Sequence, residues 1–251
     1  PVSWRKKERP ILLNTWEANY FDIQEDALLK QADLAKEAGI ELFVLDDGWF
    51  GHRNDDTSSL GDWFDNREKL PQGVAGLAEK IQEKGMKFGL WFEPEMVSQN
   101  SRLFEAHPDW VLQVPDYPLT EGRRQFVLDL SQTAVQQYLI DVLTTYLATG
   151  KIDYIKWDMN RHLTEVGSSA YPAEQQKEIS HRYVLGLYHV LETITKRFPE
   201  CLFENCSSGG GRFDPGMMAY MPQTWTSDNT DALCRSNIQY AVSYTHLRAH
   251  E

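Results

Sequence analysis

Carboxylates, tryptophans and a few cations stand where short apolar runs end in this chain. The run over 152–157 ends at Asp158, Asn160 and Arg161, the run over 41–45 at Asp46 and Asp47, and that over 86–91 at Glu93 and Glu95. Trp16 follows the run over 10–15, Cys206 with the glycines at 209–211 follows 201–205, and Asp228 follows 223–227. Polar groups are costly to bury without partners, so their position at the run ends marks places where chemistry can be done. Indole faces beside carboxylates suit a sugar ring, whose C–H faces stack on aromatics while its hydroxyls need charged hydrogen-bond partners. Hydrolysis of a glycoside needs two carboxyl groups flanking the scissile bond. Asp158 and Asp228, on separate run ends, are the candidates.

Each of these residues also has a purely structural reading. Trp16 and Trp91 could fill core, and Trp157 is expected to do so. Asp46, Asp47 and Gly48 could form an ordinary turn, and at least one of Glu93 and Glu95 is expected to cap the next helix. The triple glycine could be a flexible turn, and Cys206 simply a buried thiol. None of the histidines has a partnered spacing. The sequence shows no metal cluster, no phosphate-cradling glycine loop beside the first run, and no nucleophilic serine, so neither metal nor cofactor is expected.

The elements that must position these groups alternate regularly. Extended runs over 10–15, 41–45, 86–91, 152–157, 201–205 and 223–227 read as strands, buried on both faces where they are continuously apolar. Helices are expected over 25–38, 74–84, 133–148, 172–198 and 232–242, with a short one over 101–107. Gly39, Gly85 and Gly150 supply stops. In the first helix Ala27, Leu28, Leu34, Ala35 and Ala38 are assigned to the packing face. In the long one, Ile179, Tyr183, Leu187, Val190, Leu191 and Ile194 share a face. A long polar loop, 50–73, is expected to be functional or disordered.

Strict alternation implies a parallel sheet with right-handed crossovers. Polar clusters at the C-terminal end of every strand favour a barrel with a central mouth over a doubly wound sheet with one switch point. A full barrel needs eight units. The fold expected is therefore a (β/α)8 TIM barrel truncated after about six βα units. Residues 10–242 are expected to form the partial catalytic barrel, 1–9 a linker from a missing N-terminal domain, and 243–251 a non-native tail.

The chain has 251 residues and a formal net charge of −12, which leaves no basic field for a nucleic-acid partner. No apolar run is long enough for a membrane span. Cys201, Cys206 and Cys234 cannot all pair, which fits a reducing compartment such as the cytoplasm.

Two of the motifs, Lys-Trp-Asp-Met-Asn-Arg at 156–161 and Ser-Asp-Asn-Thr-Asp-Ala at 227–232, resemble the catalytic signatures of the family 36 glycoside hydrolases, retaining α-galactosidases. Further similar stretches lie at 14–18, 45–51, 90–96, 122–125 and 206–214, in order along the chain. The resemblance implies Asp158 as nucleophile and Asp228 as general acid, then base. It implies Asp46 and Asp47 as ligands of galactose hydroxyls, Trp16 and Trp91 as walls, and Arg123, Lys156, Asn160, Cys206 and Gly209 as the rest of the pocket. Lys156 and Arg161 would keep Asp158 ionised, while burial and neighbouring carboxylates would hold a proton on Asp228.

The implied activity is retaining hydrolysis of terminal α-galactosyl residues of oligosaccharides such as melibiose and raffinose. A raffinose-synthase-type galactosyltransferase and a non-catalytic carbohydrate-binding fragment are the alternatives. Family members carry β domains before and after the barrel, and without strands seven and eight two sheet edges stay open, so this piece by itself is expected to be poorly soluble or inactive. The full-length protein is expected to be a homo-oligomer.

Overall fold

Alternate residues along each strand face opposite sides of the sheet, and that period of two organises the molecule. In the computed structural model, which describes residues 2–4 and 7–247, six strands form one parallel sheet in the order β1-β2-β3-β6-β7-β8. They are β1 (Leu12–Asn14), β2 (Leu42–Leu45), β3 (Lys87–Phe92), β6 (Tyr154–Trp157), β7 (Leu202–Asn205) and β8 (Gln223–Thr224). Two further short strands, β4 (Met96–Val97) and β5 (Phe126–Val127), pair antiparallel above them. Register runs level across the main sheet: Val44 pairs with Gly89, Gly89 with Tyr154, and Tyr154 with Leu202.

The two faces bury different residues. Phe43, Leu45, Phe88, Leu90, Ile155, Trp157 and Phe203 face the surrounding helices and join one large core. Leu42, Val44, Tyr154 and Leu202 face the other way and pack around Trp4. Each such fully buried Leu or Phe contributes roughly 1.5–3 kcal/mol. Trp4 donates from Nε1 to the Glu200 carbonyl at 3.1 Å, and Arg9 reaches the Pro222 carbonyl at 3.1 Å. The N-terminal segment thus bridges the two edges of the sheet from below. Residues just past β1 and β8 line one cavity, so the sheet curls. β1 and β8 remain edges, each with a single neighbour among the described residues.

The helices are α1 (Trp16–Asn19), α2 (Glu25–Glu37), α3 (Gly73–Glu83), α4 (Arg102–Ala106), α5 (Thr133–Leu147), α6 (Ile179–Arg197), α7 (Pro215–Tyr220) and α8 (Ala232–Leu247). The face expected of α6 is buried throughout. The face assigned to α2 is not: Leu28, Ala32 and Ala35 pack inward, while Ala27 and Ala38 are exposed and Leu34 is 67 % exposed. The 100° step per residue places Leu34 beside Ala27 and Ala38, away from the Leu28–Ala32–Ala35 stripe.

The stretch 50–73 is ordered, with buried anchors at both ends and an exposed tip over 54–57. Phe50, Leu60, Trp63 and Leu70 join the main core, Tyr146 donates to the Trp63 carbonyl at 3.2 Å, and Asp62 accepts from the backbone of Arg102 and Leu103 at the start of α4. The segment over 172–198 begins as a 3-10 turn at Ala173–Glu178 before α6. Helix α8 continues past residue 242 to Leu247; Arg248 to Glu251 of the expected tail, and Pro1, Arg5 and Lys6 of the expected linker, lie outside the described residues. No helix among the described residues is long and apolar enough to cross a membrane.

Candidate active site

The same period of two that buries Leu42 and Val44 around Trp4 carries Asp46 onto the concave face above them. It does likewise for Trp91 and Glu93 above Gly89, for Lys156 and Asp158 above Tyr154, and for Glu204 and Cys206 above Leu202. Gly89 has no side chain because Tyr154 fills that space: a Cβ there would lie 2.8 Å from the tyrosine ring.

Asp158 is 5 % exposed and tightly held. Its Oδ2 accepts from Asn160 Nδ2 at 2.8 Å and from Trp91 Nε1 at 3.1 Å, and its Oδ1 from the Met159 N–H at 2.9 Å. The Cys206 thiol also hydrogen-bonds it, and burial pushes that thiol well above its usual range, so it remains a neutral donor. Lys156 Nζ donates to Asp46 Oδ2 at 2.9 Å, beside Asn14 Nδ2 at 2.6 Å. Burial draws the Lys156 pKa down, but Asp46 and Asp158 outweigh it and hold the ammonium charged well above the ordinary lysine range. Arg161 does not join them. Its guanidinium is spent on the carbonyls of Thr120, Gln125 and His162, where it ties down the loop, so Lys156 alone of the two expected cations serves Asp158.

Asp47 is gripped by Arg53, whose Nε and Nη2 reach its two oxygens at 3.0 and 2.9 Å. Burial nonetheless raises the Asp47 pKa, with Arg53 pulling against it. The Lys69 ammonium joins three backbone carbonyls of this region, Phe21 at 3.0 Å, Gly48 at 2.9 Å and Arg53 at 2.7 Å. Glu93 and Glu95 cap no helix, contrary to the expectation; α4 is capped by Ser101 and Asp62. Glu95 instead accepts from Trp157, Tyr183 and Arg212 in the core beneath the site.

Asp228 sits differently. It is exposed, not buried, and accepts from Trp225 Nε1 at 3.0 Å. With Trp16, Glu17, Lys156, Trp225 and Arg235 it lines an open cavity of about 320 Å³. The Trp225 ring has Lys156 at 5.5 Å and Arg235 at 4.2 Å. Asp158 is not among the residues of that cavity, but Lys156 belongs to the surroundings of both aspartates. Gly209 fixes the approach to Asp228: its φ is +94°, and a Cβ would meet Ser227 Cα at 3.0 Å. The turn is thus packed against 226–227 rather than loose. Arg123, exposed, reaches Ser208 Oγ at 3.4 Å, and Ser208 donates to Asn160.

The sequence model of the melibiase family matches residues 1–249. The chain belongs to the melibiase family. Its relatives include alpha-galactosidase AgaA of Geobacillus stearothermophilus, 61% identical over 96% of this chain and 33% of AgaA. Alpha-galactosidase 1 of Pediococcus pentosaceus is 54% identical over 96% of this chain and 33% of its own length. The chain therefore spans about a third of the curated relatives it matches. The crystal structure of AgaA, a GH36 alpha-galactosidase, superposes with a TM-score of 0.94 at 60% identity, covering 96% of this chain and 34% of that one. AgaA variants, each lacking one aspartate, have been solved with raffinose and with stachyose; the two aspartates are separated by as many residues along the AgaA sequence as Asp158 and Asp228 are along this one.

Several residues that the sequence did not single out lie beside those named above. Arg53 sits in a stretch without periodicity, and nothing in the sequence pairs it with Asp47. Glu204 lies on the concave face, where Gln223 donates to it at 2.7 Å and burial raises its pKa. Strict alternation from Leu202 would have found it. Trp225 would have been found by the logic applied to the other tryptophans. Among the described residues no group of His, Cys, Asp and Glu could hold a metal ion.

Proposed function

We propose that this chain forms the first six βα units of an eight-stranded barrel that hydrolyses terminal α-galactosides with retention. The Asp158 carboxylate attacks the anomeric carbon, the glycosidic C–O bond breaks, and Asp228 gives its proton to the departing oxygen. Water then attacks the galactosyl ester, Asp228 takes its proton, and Asp158 leaves as a carboxylate. Asp46 and Asp47, held by Lys156 and Arg53, present fixed oxygens to sugar hydroxyls. Trp16 and Trp91 wall the ring, and Arg123, Asn160, Cys206 and Gly209 complete the pocket. Units seven and eight would stand beside β8 and cover Asp228.

The observation that carries this reading is the Asp158 carboxylate itself, buried at the end of β6 with two side-chain donors on one oxygen. The matching aspartate interval in AgaA supports pairing it with Asp228, and that enzyme's raffinose and stachyose complexes support galacto-oligosaccharides as substrates. Free cysteines at 201, 206 and 234 support a reducing compartment, the cytoplasm, and the full-length protein is proposed to assemble as a homo-oligomer.

The test uses full-length protein and an aryl α-galactoside. Nuclear magnetic resonance of the first-formed sugar should show the α-anomer. Asp158→Ala should abolish turnover, and azide should restore it to Asp158→Gly but not to Asp46→Ala. Near-normal activity in Asp158→Ala, or β-galactose as the first product, overturns the reading.

A further inference from the structure

Glu93 stands one residue beyond β3, and the double displacement described above makes no use of it. Its side chain is 1 % exposed, deeper than Asp158. Two donors reach it: the Asn160 backbone N–H gives to Oε1 at 2.6 Å, and the Gln125 side-chain amide gives to Oε2 at 3.1 Å. Asn160 is also the residue whose Nδ2 donates to Asp158. One residue therefore hangs by its backbone from one carboxyl group and by its side chain from another. The charged groups facing Glu93 are Asp158 at the end of β6, Asp47 at the end of β2, and Arg53 in the stretch that follows. Arg53 is committed to Asp47 through its Nε and Nη2. Carboxylates dominate the field.

Two carboxyl groups close together and out of water do not both ionise readily. We infer that Glu93 is a positioning residue for the proposed nucleophile, a neutral carboxylic acid behind Asp158 that orients Asn160 and leaves Asp158 as the ionised partner. This rests on the reading of Asp158 given above. Burial first, and then the charge of Asp158, push the Glu93 pKa up to about 8. Gln125 suits the arrangement. Its amide can offer N–H to an ionised Glu93 or, turned over, its oxygen to a protonated one, and that oxygen is buried without a partner in the present orientation.

Ionising Glu93 places a second negative charge beside Asp158. That charge favours forming the galactosyl ester, which discharges Asp158, and opposes the step in which Asp158 leaves as a carboxylate. Deglycosylation should therefore slow above pH about 8. Loss of the Asp228 proton cannot explain such a fall, because Asp228 acts as the base in that step.

The experiment measures reactivation of fluorosugar-trapped full-length enzyme against pH, for wild type, Glu93→Gln and Glu93→Asp. Wild type should lose roughly tenfold in deglycosylation rate once the second negative charge stands beside the leaving carboxylate. Glu93→Gln should hold its rate across the same range. Glu93→Asp should keep a titration while losing the bond to the Asn160 N–H. Infrared difference spectra supply a readout independent of turnover: a protonated carboxyl band should persist to pH about 8 and be missing from Glu93→Gln. A wild-type fall that Glu93→Gln retains, or no such band near neutrality, overturns the inference. A protein that turns over no α-galactoside sinks the functional reading instead, and the infrared titration still decides the state of Glu93.

Discussion

Lys156 Nζ and Asp46 Oδ2 are 2.9 Å apart, with both side chains nearly out of solvent. The pair joins β6 to the end of β2 across β3 and faces Asp158 at its upper side. Removing one partner leaves an uncompensated buried charge, which costs about 3–5 kcal/mol. Lys156→Met should therefore lower stability by that amount in denaturant titrations and abolish turnover. The raised Lys156 pKa sets the pH window. Its stabilising contribution is complete below the ordinary lysine range and is lost only as pH climbs through the higher folded value, so melting curves across neutral and mildly alkaline pH should show no sign of that loss.

Glu93 gives the opposite window. Its folded pKa lies near 8 against an ordinary glutamate value of 4.5, so the stability linked to its protonated form is complete below pH 4.5 and is lost as pH rises through 8. Glu93→Gln should melt like wild type at acid pH and higher than wild type above pH 8. Equal melting temperatures throughout would mean that Glu93 titrates as an ordinary carboxyl.

Lys69 is half-buried, and its ammonium fastens three carbonyls from the segments that carry Trp16, Asp46 and Asp47, and Arg53. Hydrogen bonds to a charged group are worth roughly 1.5–3 kcal/mol each, less when water competes. Lys69→Met should cost about 2 kcal/mol in stability. It should raise KM for galactosides more than it lowers kcat, because the sugar-holding carboxylates shift while Asp158 does not. Steady-state kinetics at matched folded fraction separate the two effects.

Gly209→Ala should cost about 1–2 kcal/mol for the left-handed backbone alone. The added Cβ also pushes on Ser227, next to Asp228. Loss of kcat should exceed what the drop in folded fraction explains, whereas Gly39→Ala, with open space around its Cβ and a comparable φ of +84°, should pay only the backbone cost.

In a galactoside-bound structure of the full-length protein, the Asp158 and Asp228 carboxyl groups should lie about 5–5.5 Å apart. A separation beyond about 9 Å would leave room for a water between them and would point to inversion instead.

Much of the site was legible because strands carry their information in a period of two. Once 41–45, 86–91 and 152–157 are read as parallel and buried, Asp46, Trp91, Lys156 and Asp158 must share a side. The stretch over 50–73 defeated the same logic. It has no repeating period, so the pairing of Arg53 with Asp47 and the three-way grip of Lys69 exist only in three dimensions. Glu93 and Glu95 were misread because a carboxylate before a helix looks like a cap, and nothing local says that Asn160 and Arg212 come from elsewhere to claim them. Leu34 was misplaced on α2 because hydrophobicity was allowed to outvote angle. The expected burial of Asp228 asked an edge strand to supply walls that β8, with one neighbour, does not have.

Trp4 fills the narrow end of the concave face, with Leu42, Val44, Tyr154 and Leu202 packed around its ring. With units seven and eight closing the side between β1 and β8, a hollow stoppered at that end would have a single door. Under the proposed activity, a sugar chain cannot thread through and be cut midway; it can only be presented tip first, one terminal residue at a time. Freed galactose must leave by the way it came, so it competes with the next substrate for the same entrance.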